Sequence, residues 1–227
     1  MKKSFLILMF LLIACNSPVD APAPPTQIPT ATFTPTVFLT STSLPTATNT
    51  PAPTQTPFPT SPPDFCADIR GSELIKTFSQ AVANKDGALL ASLVSPSYGM
   101  DVRYYRDGNV INYDVEHAKF VFETDYQADW GISFGSGEVT KGSFQEIILP
   151  SLQQVFIPAS LVVCNQIQTG GVTYFPEWQY EGMNYYSVYF TGTEEYGYLD
   201  WQTWAVGMDI IAGKPYIAAL SHFVWEP

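Results

Sequence analysis

The sequence predicts an α+β domain over residues 65–227, in which N-terminal helices pack on a curved, mostly antiparallel sheet. Apolar residues recur at helical spacing between residues 69 and 156, whereas aromatic and β-branched residues form extended runs after residue 160. Helices first and strands afterwards is the order of an α+β fold. Residues 65–227 also hold 28 of the 33 Phe, Trp and Tyr residues, which is enough apolar surface for one core.

Two helices open the predicted domain. The apolar side chains of the first helix share one face and are Leu74, Ile75, Phe78, Ala81 and Val82. Ser72 is the predicted N-cap of this helix. Asp86 is the predicted N-cap of a second, shorter helix, which Pro96 and Gly99 end.

A hairpin and a third helix follow. Residues 102–105 and 110–113 flank Asp107-Gly108-Asn109, which is a hairpin signal. Asp114 is the predicted N-cap of a helix over residues 115–122.

The second half of the domain begins with a loop that contains Trp130 and Gly135-Ser136-Gly137. Ser143 and Glu146 then form a capping box for a helix over residues 147–156, which Pro150 bends or breaks. Four strands are predicted after it, over residues 161–167, 185–190, 203–211 and 216–224, with the last hairpin turning at residues 212–215.

The amino terminus has the features of an export signal. Lys2 and Lys3 precede nine consecutive apolar residues, 5–13, too few to cross a bilayer core of about 30 Å as a helix. This run ends in Leu12-Ile13-Ala14-Cys15, which resembles the lipobox of bacterial lipoproteins. The resemblance implies diacylglycerol on Cys15, cleavage before it, and a lipid-anchored protein on the extracytoplasmic side of the cell membrane. The alternative is an ordinary secretory signal that happens to contain a cysteine.

Residues 16–64 predict a disordered stalk. They contain 13 Pro and 13 Thr, and no Gly, Lys or Arg. Proline prevents helix and sheet from propagating, and this composition buries too little apolar surface to fold. An extended chain of this length reaches at most about 150 Å at roughly 3.1 Å per residue, so it would hold the domain away from a membrane. Thr-Pro tracts are also typical of O-glycosylated stalks.

The net charge of −11 restricts the partners. An acidic domain repels phosphate backbones, so we expect no nucleic-acid partner. The acidic residues show no calcium-loop spacing, and no Cys and His set has the spacing of zinc ligands. We therefore expect no metal site and no cofactor.

Two further resemblances concern the domain. A leading helical pair followed by a curved antiparallel sheet is similar to NTF2-like and cystatin-like folds, which form a cone with a concave pocket. A set of local motifs resembles an uncharacterised domain of bacterial lipoproteins: Ser95-Pro96, Gly99, Trp130-Gly131, Gly135-Ser136-Gly137, Phe144 and His222-x-x-Trp225. The second resemblance implies a bacterial cell-surface setting and supplies no catalytic residues.

Two cysteines remain besides Cys15. Cys66 and Cys164 form an even pair in an exported protein, which favours a disulfide. Two separate thiols are the alternative.

His222 is the candidate for acid–base chemistry. In strict strand alternation it shares a face with Tyr216, Ala218, Leu220 and Val224. A titratable group on an apolar face is either hydrogen-bonded in the core or lines a pocket, and Asp209 or Asp200 are its expected partners. His117 is expected to be solvated. Gly135-Ser136-Gly137 does not fit the Gly-x-Ser-x-Gly nucleophile motif.

Aromatic residues suggest a different role. Nine Trp and Tyr residues lie between residues 178 and 204. Such side chains suit sugar stacking and interfaces, although strands also use them to fill a core. The candidate ligand-binding residues are Trp130, Tyr198, Trp201, Trp204 and His222. Because Trp201 and Trp204 are three residues apart, they face opposite sides of a strand, and at least one is expected to be exposed.

These patterns favour a cell-surface lipoprotein whose domain binds a small ligand, a glycan or an envelope component without catalysis. The alternative is an NTF2-like enzyme with acid–base chemistry centred on His222. An enzyme needs a cavity with a perturbed titratable group, whereas a glycan binder needs an exposed aromatic platform.

The lipid anchor predicts the behaviour of a Cys15→Ala variant. This variant lacks the sulfur that accepts the lipid, so we expect it to move from the membrane fraction to the soluble fraction. Cell fractionation followed by immunoblotting measures this, with Cys66→Ala as the control that keeps Cys15. A Cys15→Ala protein that still sediments with membranes contradicts the lipid anchor.

Overall fold

The structure is a computed structural model that describes residues 64–158 and 160–227. The predicted signal peptide, residues 1–15, and nearly all of the predicted stalk lie outside the described residues. No helix among the described residues is long and apolar enough to cross a membrane.

A six-stranded sheet forms the centre of the domain. Its strands are β1 (Met100–Arg103), β2 (Val110–Tyr113), β5 (Leu161–Cys164), β6 (Tyr185–Phe190), β7 (Gln202–Ile211) and β8 (Lys214–Val224). Their order is β2-β1-β8-β7-β6-β5. Only the β1 and β8 pair is parallel. The predicted α+β class with a mostly antiparallel sheet is therefore confirmed.

Four α-helices accompany the sheet within residues 64–158 and 160–227. They are α1 (Ile69–Asn84), α2 (Gly87–Leu93), α3 (Val115–Ala118) and α4 (Leu149–Phe156), and a π-helical turn (Phe144–Ile148) leads into α4. Two short 3₁₀ turns complete the helical elements, Phe65–Ala67 and Glu194–Tyr196.

The helix caps explain where most of these helices begin. The side chains of Asp86, Asp114 and Ser143 accept backbone N–H groups of the first helical turns, as predicted, and Ser143 and Glu146 form the capping box. The prediction for Ser72 was wrong, because Asp68 caps α1 and Ser72 lies inside the helix. The first turn of α1 carries no apolar pattern that would have revealed it.

The central strands of the sheet are buried on both faces. On one face, residues of α1 and α4 pack with Trp204, Val206 and Leu220. On the other face, the segment between β5 and β6 lays Ile167, Val172 and Trp178 over a second apolar cluster. The members of that cluster are Tyr185, Tyr189, Trp201, Ala205 and Phe223.

A β-bulge interrupts the β7–β8 pairing. Gly207 lies opposite Ala219, but Met208 lies opposite Ile217, so Ala218 is an extra residue in β8. Ile217 and Leu220 therefore pack in the same core cluster although they are three residues apart. The prediction that Tyr216, Ala218, Leu220 and His222 share one face was wrong for Tyr216 and Ala218, because a bulge interrupts the strict alternation of side chains along the strand.

A second, two-stranded sheet replaces the loop predicted around Trp130. It consists of β3 (Ala128–Ile132) and β4 (Val139–Gly142). The indole N–H of Trp130 donates to the Gly142 carbonyl at 3.0 Å. Gly131 has a φ of +104°, and a Cβ atom there would lie 2.7 Å from Gly108 Cα. Glycine at residue 131 thus lets β3 approach the turn between β1 and β2.

A disulfide between Cys66 and Cys164 joins the first 3₁₀ turn to β5. The two residues are 98 positions apart in the chain. A bridge over this separation restricts the unfolded chain and is worth up to roughly 4–5 kcal/mol in the chain-entropy model.

This bridge predicts the thiol count and the stability. In a Cys15→Ala background under denaturant, we expect thiol titration to find no free thiol. We expect Cys66→Ala and Cys164→Ala to lower the free energy of unfolding by equal amounts, up to about 4 kcal/mol, in urea denaturation. Two free thiols, or unequal effects of the two substitutions, would argue against the bridge.

Candidate functional site

A buried polar network surrounds His222 on β8. The imidazole packs against the rings of both Tyr104 and Trp204, with centroid distances of 5.0 and 4.6 Å. Its Nδ1 lies 3.1 Å from the Tyr104 carbonyl oxygen, and its Nε2 lies 3.1 Å from Ser151 Oγ and 3.0 Å from Gln202 Oε1. Trp204 donates its indole N–H to the same Oγ at 2.9 Å. The network therefore fastens α4, which carries Ser151, to the centre of the sheet.

The hydrogen bonds of His222 define its protonation. A carbonyl oxygen only accepts, so Nδ1 carries the ring hydrogen and donates it to Tyr104. Nε2 of the neutral ring is then an acceptor that faces the Ser151 hydroxyl. Burial lowers the pKa of His222 to about 4, and the Tyr104 hydrogen bond opposes this effect only in part. His222 is therefore neutral at pH 7.

The expected acidic partners of His222 were wrong. Asp209 accepts a hydrogen bond from the Ser95 hydroxyl at 2.8 Å. Asp200 accepts from the backbone N–H of Thr193 at 2.7 Å, which holds its pKa below the usual range. The neutral side chains of Ser151, on α4, and Gln202, on β7, lie beside the ring instead.

A polar cleft of about 300 Å³ lies beside this network. Ser151, Gln154 and Gln202 line it, whereas His222 does not. Both imidazole nitrogens contact protein groups, so a molecule in this cleft meets the Ser151 hydroxyl before it meets the ring.

The predicted aromatic ligand residues lie mostly in the core. Trp130, Trp201 and Trp204 are completely buried, and the expectation that Trp201 or Trp204 is exposed was wrong. They do face opposite sides of the sheet, since Trp204 packs with the helices and Trp201 under the segment between β5 and β6. Tyr198 is about half exposed, unlike the three buried tryptophans. The structure does not bring Trp130, Tyr198, Trp201, Trp204 and His222 together on one surface.

A second cleft, of about 460 Å³, lies where β2 leads into α3. We call it the aromatic cleft, and it is lined by Ile111, Asn112, Tyr113, His117, Phe120, Thr124 and Tyr126. Tyr113 ends β2, and Asp114 caps α3 immediately after it. The short helix and the turns that follow it bring Phe120 and Tyr126 back to the end of β2. The predicted helix over residues 115–122 was too long, and this early stop is what forms the cleft wall.

The aromatic side chains of this cleft are differently exposed. Phe120 is 51% exposed and Tyr126 is 63% exposed, whereas Tyr113 is only 6% exposed. The Tyr113 ring packs edge-on against Phe144 in the core, and burial, with a smaller effect of Tyr126, raises its pKa. The Tyr113 hydroxyl makes no hydrogen bond with the described residues, and it is not one of the fully buried side-chain atoms that lack a partner, so it is open to the cleft. A phenol hydroxyl that faces a cleft without a protein partner is a group available to a ligand.

Charged groups border the aromatic cleft. His117 Nδ1 lies 2.8 Å from Asp114 Oδ1, and the backbone N–H of His117 holds the pKa of Asp114 below its usual range. The Lys119 ammonium lies 5.6 Å from the centroid of the Phe120 ring. His117 is exposed, as predicted.

No local signal in the sequence identifies this cleft. Phe120 and Tyr126 lie outside the aromatic run near residues 178–204, and Phe122 of the same segment is buried in the core at 3% exposure. Local composition therefore does not separate the aromatic residues of the cleft from those of the core.

Metal ligation has no candidate among residues 64–158 and 160–227. No three His, Cys, Asp or Glu side chains of this part of the chain converge on one point.

Comparison with known proteins gives no family. No protein-family model matches the chain, and no curated protein matches it significantly. One similar solved structure is a Xanthomonas campestris protein assigned as a calcium/calmodulin dependent protein kinase II association domain, with 13% identity and a TM-score of 0.25. The match covers 67% of this chain and 84% of the other. A TM-score this low supports no fold assignment, so the fold is defined by the helices and strands of this chain alone.

The buried imidazole predicts an acid-dependent loss of stability. Above pH 6.5, His222 is neutral in both states; between pH 6.5 and about 4 the unfolded chain binds a proton that the folded chain does not. The free energy of unfolding should therefore fall through this window by roughly 3 kcal/mol and show no further contribution from His222 below it. Urea denaturation at several pH values, compared between the wild type and His222→Gln, measures the difference. An identical pH dependence in both proteins contradicts a neutral, buried His222.

Proposed function

We propose that this chain is a lipid-anchored protein on the extracytoplasmic side of a bacterial membrane whose domain binds a small organic ligand, without catalysis, in the aromatic cleft. The ligand is a free small molecule, a glycan unit or another envelope component. Three aromatic residues line the cleft, and its volume of about 460 Å³ lies in the range of small-molecule sites.

One observation carries the binding role. Tyr113 is 6% exposed, lines the cleft, and has no hydrogen-bond partner for its hydroxyl among the described residues. This hydroxyl is not among the fully buried atoms without a partner, so it is open to the cleft, where it can donate or accept a hydrogen bond. Two half-exposed aromatic side chains beside it supply the apolar contact area of a binding site.

The placement of the protein rests on the sequence. Lys2, Lys3 and the apolar run before Cys15 support export and lipid attachment, so the membrane is the first proposed partner. The Pro- and Thr-rich residues 16–64 support a spacer between the membrane and the domain. A binding domain on a spacer meets envelope molecules and dissolved ligands alike.

The acid–base alternative centred on His222 has weaker support. A general base needs a free lone pair within hydrogen-bond reach of the substrate. The Nδ1–H of His222 donates to the Tyr104 carbonyl, Nε2 lies 3.1 Å from the Ser151 Oγ, and the ring does not line the neighbouring cleft. A base role for His222 would require these contacts to break, whereas binding in the aromatic cleft would leave them intact.

Substitution of Phe120 tests the site. Saturation-transfer NMR on the full chain, with N-acetylglucosamine, choline and 3,3-dimethylbutanol as probes, should show contact with at least one probe. Phe120→Ala should weaken it about 2- to 30-fold, because it removes one face of the cleft. Tyr113→Phe should weaken a hydrogen-bonding probe about 2- to 10-fold, with the fold retained.

Phe175→Ala is the matched control, because Phe175 is 91% exposed and lies outside the aromatic cleft. It should leave probe binding unchanged. Probe contacts that survive Phe120→Ala, or that Phe175→Ala abolishes equally, would place binding elsewhere and refute the proposed site.

A further inference from the structure

The chemistry around the aromatic cleft also restricts the class of its ligand. We infer that the cleft selects an organic cation, a substituted or quaternary ammonium group, over neutral and anionic molecules of the same size. This inference rests on the proposed function, since it assigns the ligand class of the same cleft.

The cleft wall is the first observation. Tyr113, Phe120 and Tyr126 line it from three different points of the chain, the end of a strand, a turn and the start of the next extended segment. The face of an aromatic ring carries negative electrostatic potential and attracts cations. Several rings around one ammonium group are the usual protein site for quaternary ammonium ligands, because that group is bulky and has no N–H to hydrate.

The local charge is the second observation. Residues 114–126 carry four carboxylates and one ammonium group, which gives 1 − 4 = −3 over 13 residues with His117 neutral. Residues 65–227 carry 8 − 19 = −11 over 163 residues, so the cleft segment has more than three times the average density of negative charge. The carboxylates are Asp114, Glu116, Glu123 and Asp125.

Most of these carboxylates are not neutralised by an ion-pair partner among the described residues. Asp114 is paired with His117, but Glu116, Glu123 and Asp125 are exposed and have no ion-pair partner among the described residues. Their field extends over about 10 Å at moderate ionic strength and therefore reaches a ligand in the adjacent cleft. It attracts a cation, repels an anion and leaves a neutral sugar unaffected.

The protein itself shows that this surface accepts an ammonium group. Lys119, the one Lys or Arg of residues 114–126, holds its Nζ 5.6 Å from the centre of the Phe120 ring. A ligand cation of greater bulk and weaker hydration would compete with Lys119 for the Phe120 ring, in a cleft that Tyr113 and Tyr126 also line.

Isosteric ligands test the inference. Choline and 3,3-dimethylbutanol have the same shape, but only choline carries a charge. Isothermal titration of the full chain at low ionic strength should show choline binding at least about tenfold more tightly. Phe120→Leu keeps an apolar side chain but removes the ring, and should weaken choline binding about 2- to 30-fold while 3,3-dimethylbutanol changes less.

Variants that remove carboxylates test the electrostatic contribution to choline binding separately from the contribution of the aromatic rings. Glu123→Gln with Asp125→Asn should weaken choline binding about 2- to 10-fold, and high salt should reduce this difference. Glu194→Gln with Glu195→Gln removes the same charge from another exposed segment and should leave choline binding unchanged. Circular dichroism of each variant verifies that the fold is retained.

The outcomes distinguish the two proposals. If 3,3-dimethylbutanol or N-acetylglucosamine binds as tightly as choline and Phe120→Leu weakens all of them, the cleft is a binding site but the cation inference fails. If no probe binds at millimolar concentration, both the proposed function and the cation inference fail. Choline binding that is insensitive to Phe120→Leu also overturns the inference.

Discussion

Burial of the β7–β8 hairpin on both faces is the constraint on which the rest of the structure depends. Trp201 and Trp204 lie on opposite sides of β7, and each side needs its own cover. The helices supply one cover, and the segment between β5 and β6 supplies the other. An antiparallel sheet with one wet face would have left one of these tryptophans exposed. Here most of the nine Trp and Tyr residues between residues 178 and 204 fill the two cores, and only Tyr196 and Tyr198 of these nine are exposed.

The two candidate sites differ in how completely their polar groups are satisfied. Beside His222, Nδ1 donates to the Tyr104 carbonyl, the Trp204 indole N–H donates to the Ser151 hydroxyl, and that hydroxyl lies within hydrogen-bond distance of Nε2 and of Gln202 Oε1. In the aromatic cleft the Tyr113 hydroxyl has no such partner. The cleft lies at β2, an edge strand of the sheet, where the double cover of the central strands ends. The polar groups beside His222 contact one another inside the fold, whereas the Tyr113 hydroxyl at the sheet edge is open to the cleft.

Local signals predicted local structure well. The caps at Asp86, Asp114 and Ser143 followed from short-range hydrogen bonding, and β6 was predicted with its observed limits at Tyr185 and Phe190. Long-range features escaped prediction. The bulge at Ala218 reversed the facing of Tyr216, and the parallel pairing of β1 with β8 links residues about 120 positions apart, for which no periodicity exists. The site was missed for the same reason, since the cleft forms only when the early end of α3 returns Phe120 and Tyr126 to β2.

The disulfide near the start of the domain has a mechanical consequence. The chain enters the domain at Asp64, and two residues later Cys66 is bonded covalently to β5. Tension applied through the preceding chain therefore passes into the sheet at β5 and its hydrogen bonds to β6, and bypasses the first turn of α1. Without the bond the same pull would unwind α1 from Ile69 and strip the cover from the first core. A covalent cross-link at this point protects the helix that is nearest to the load.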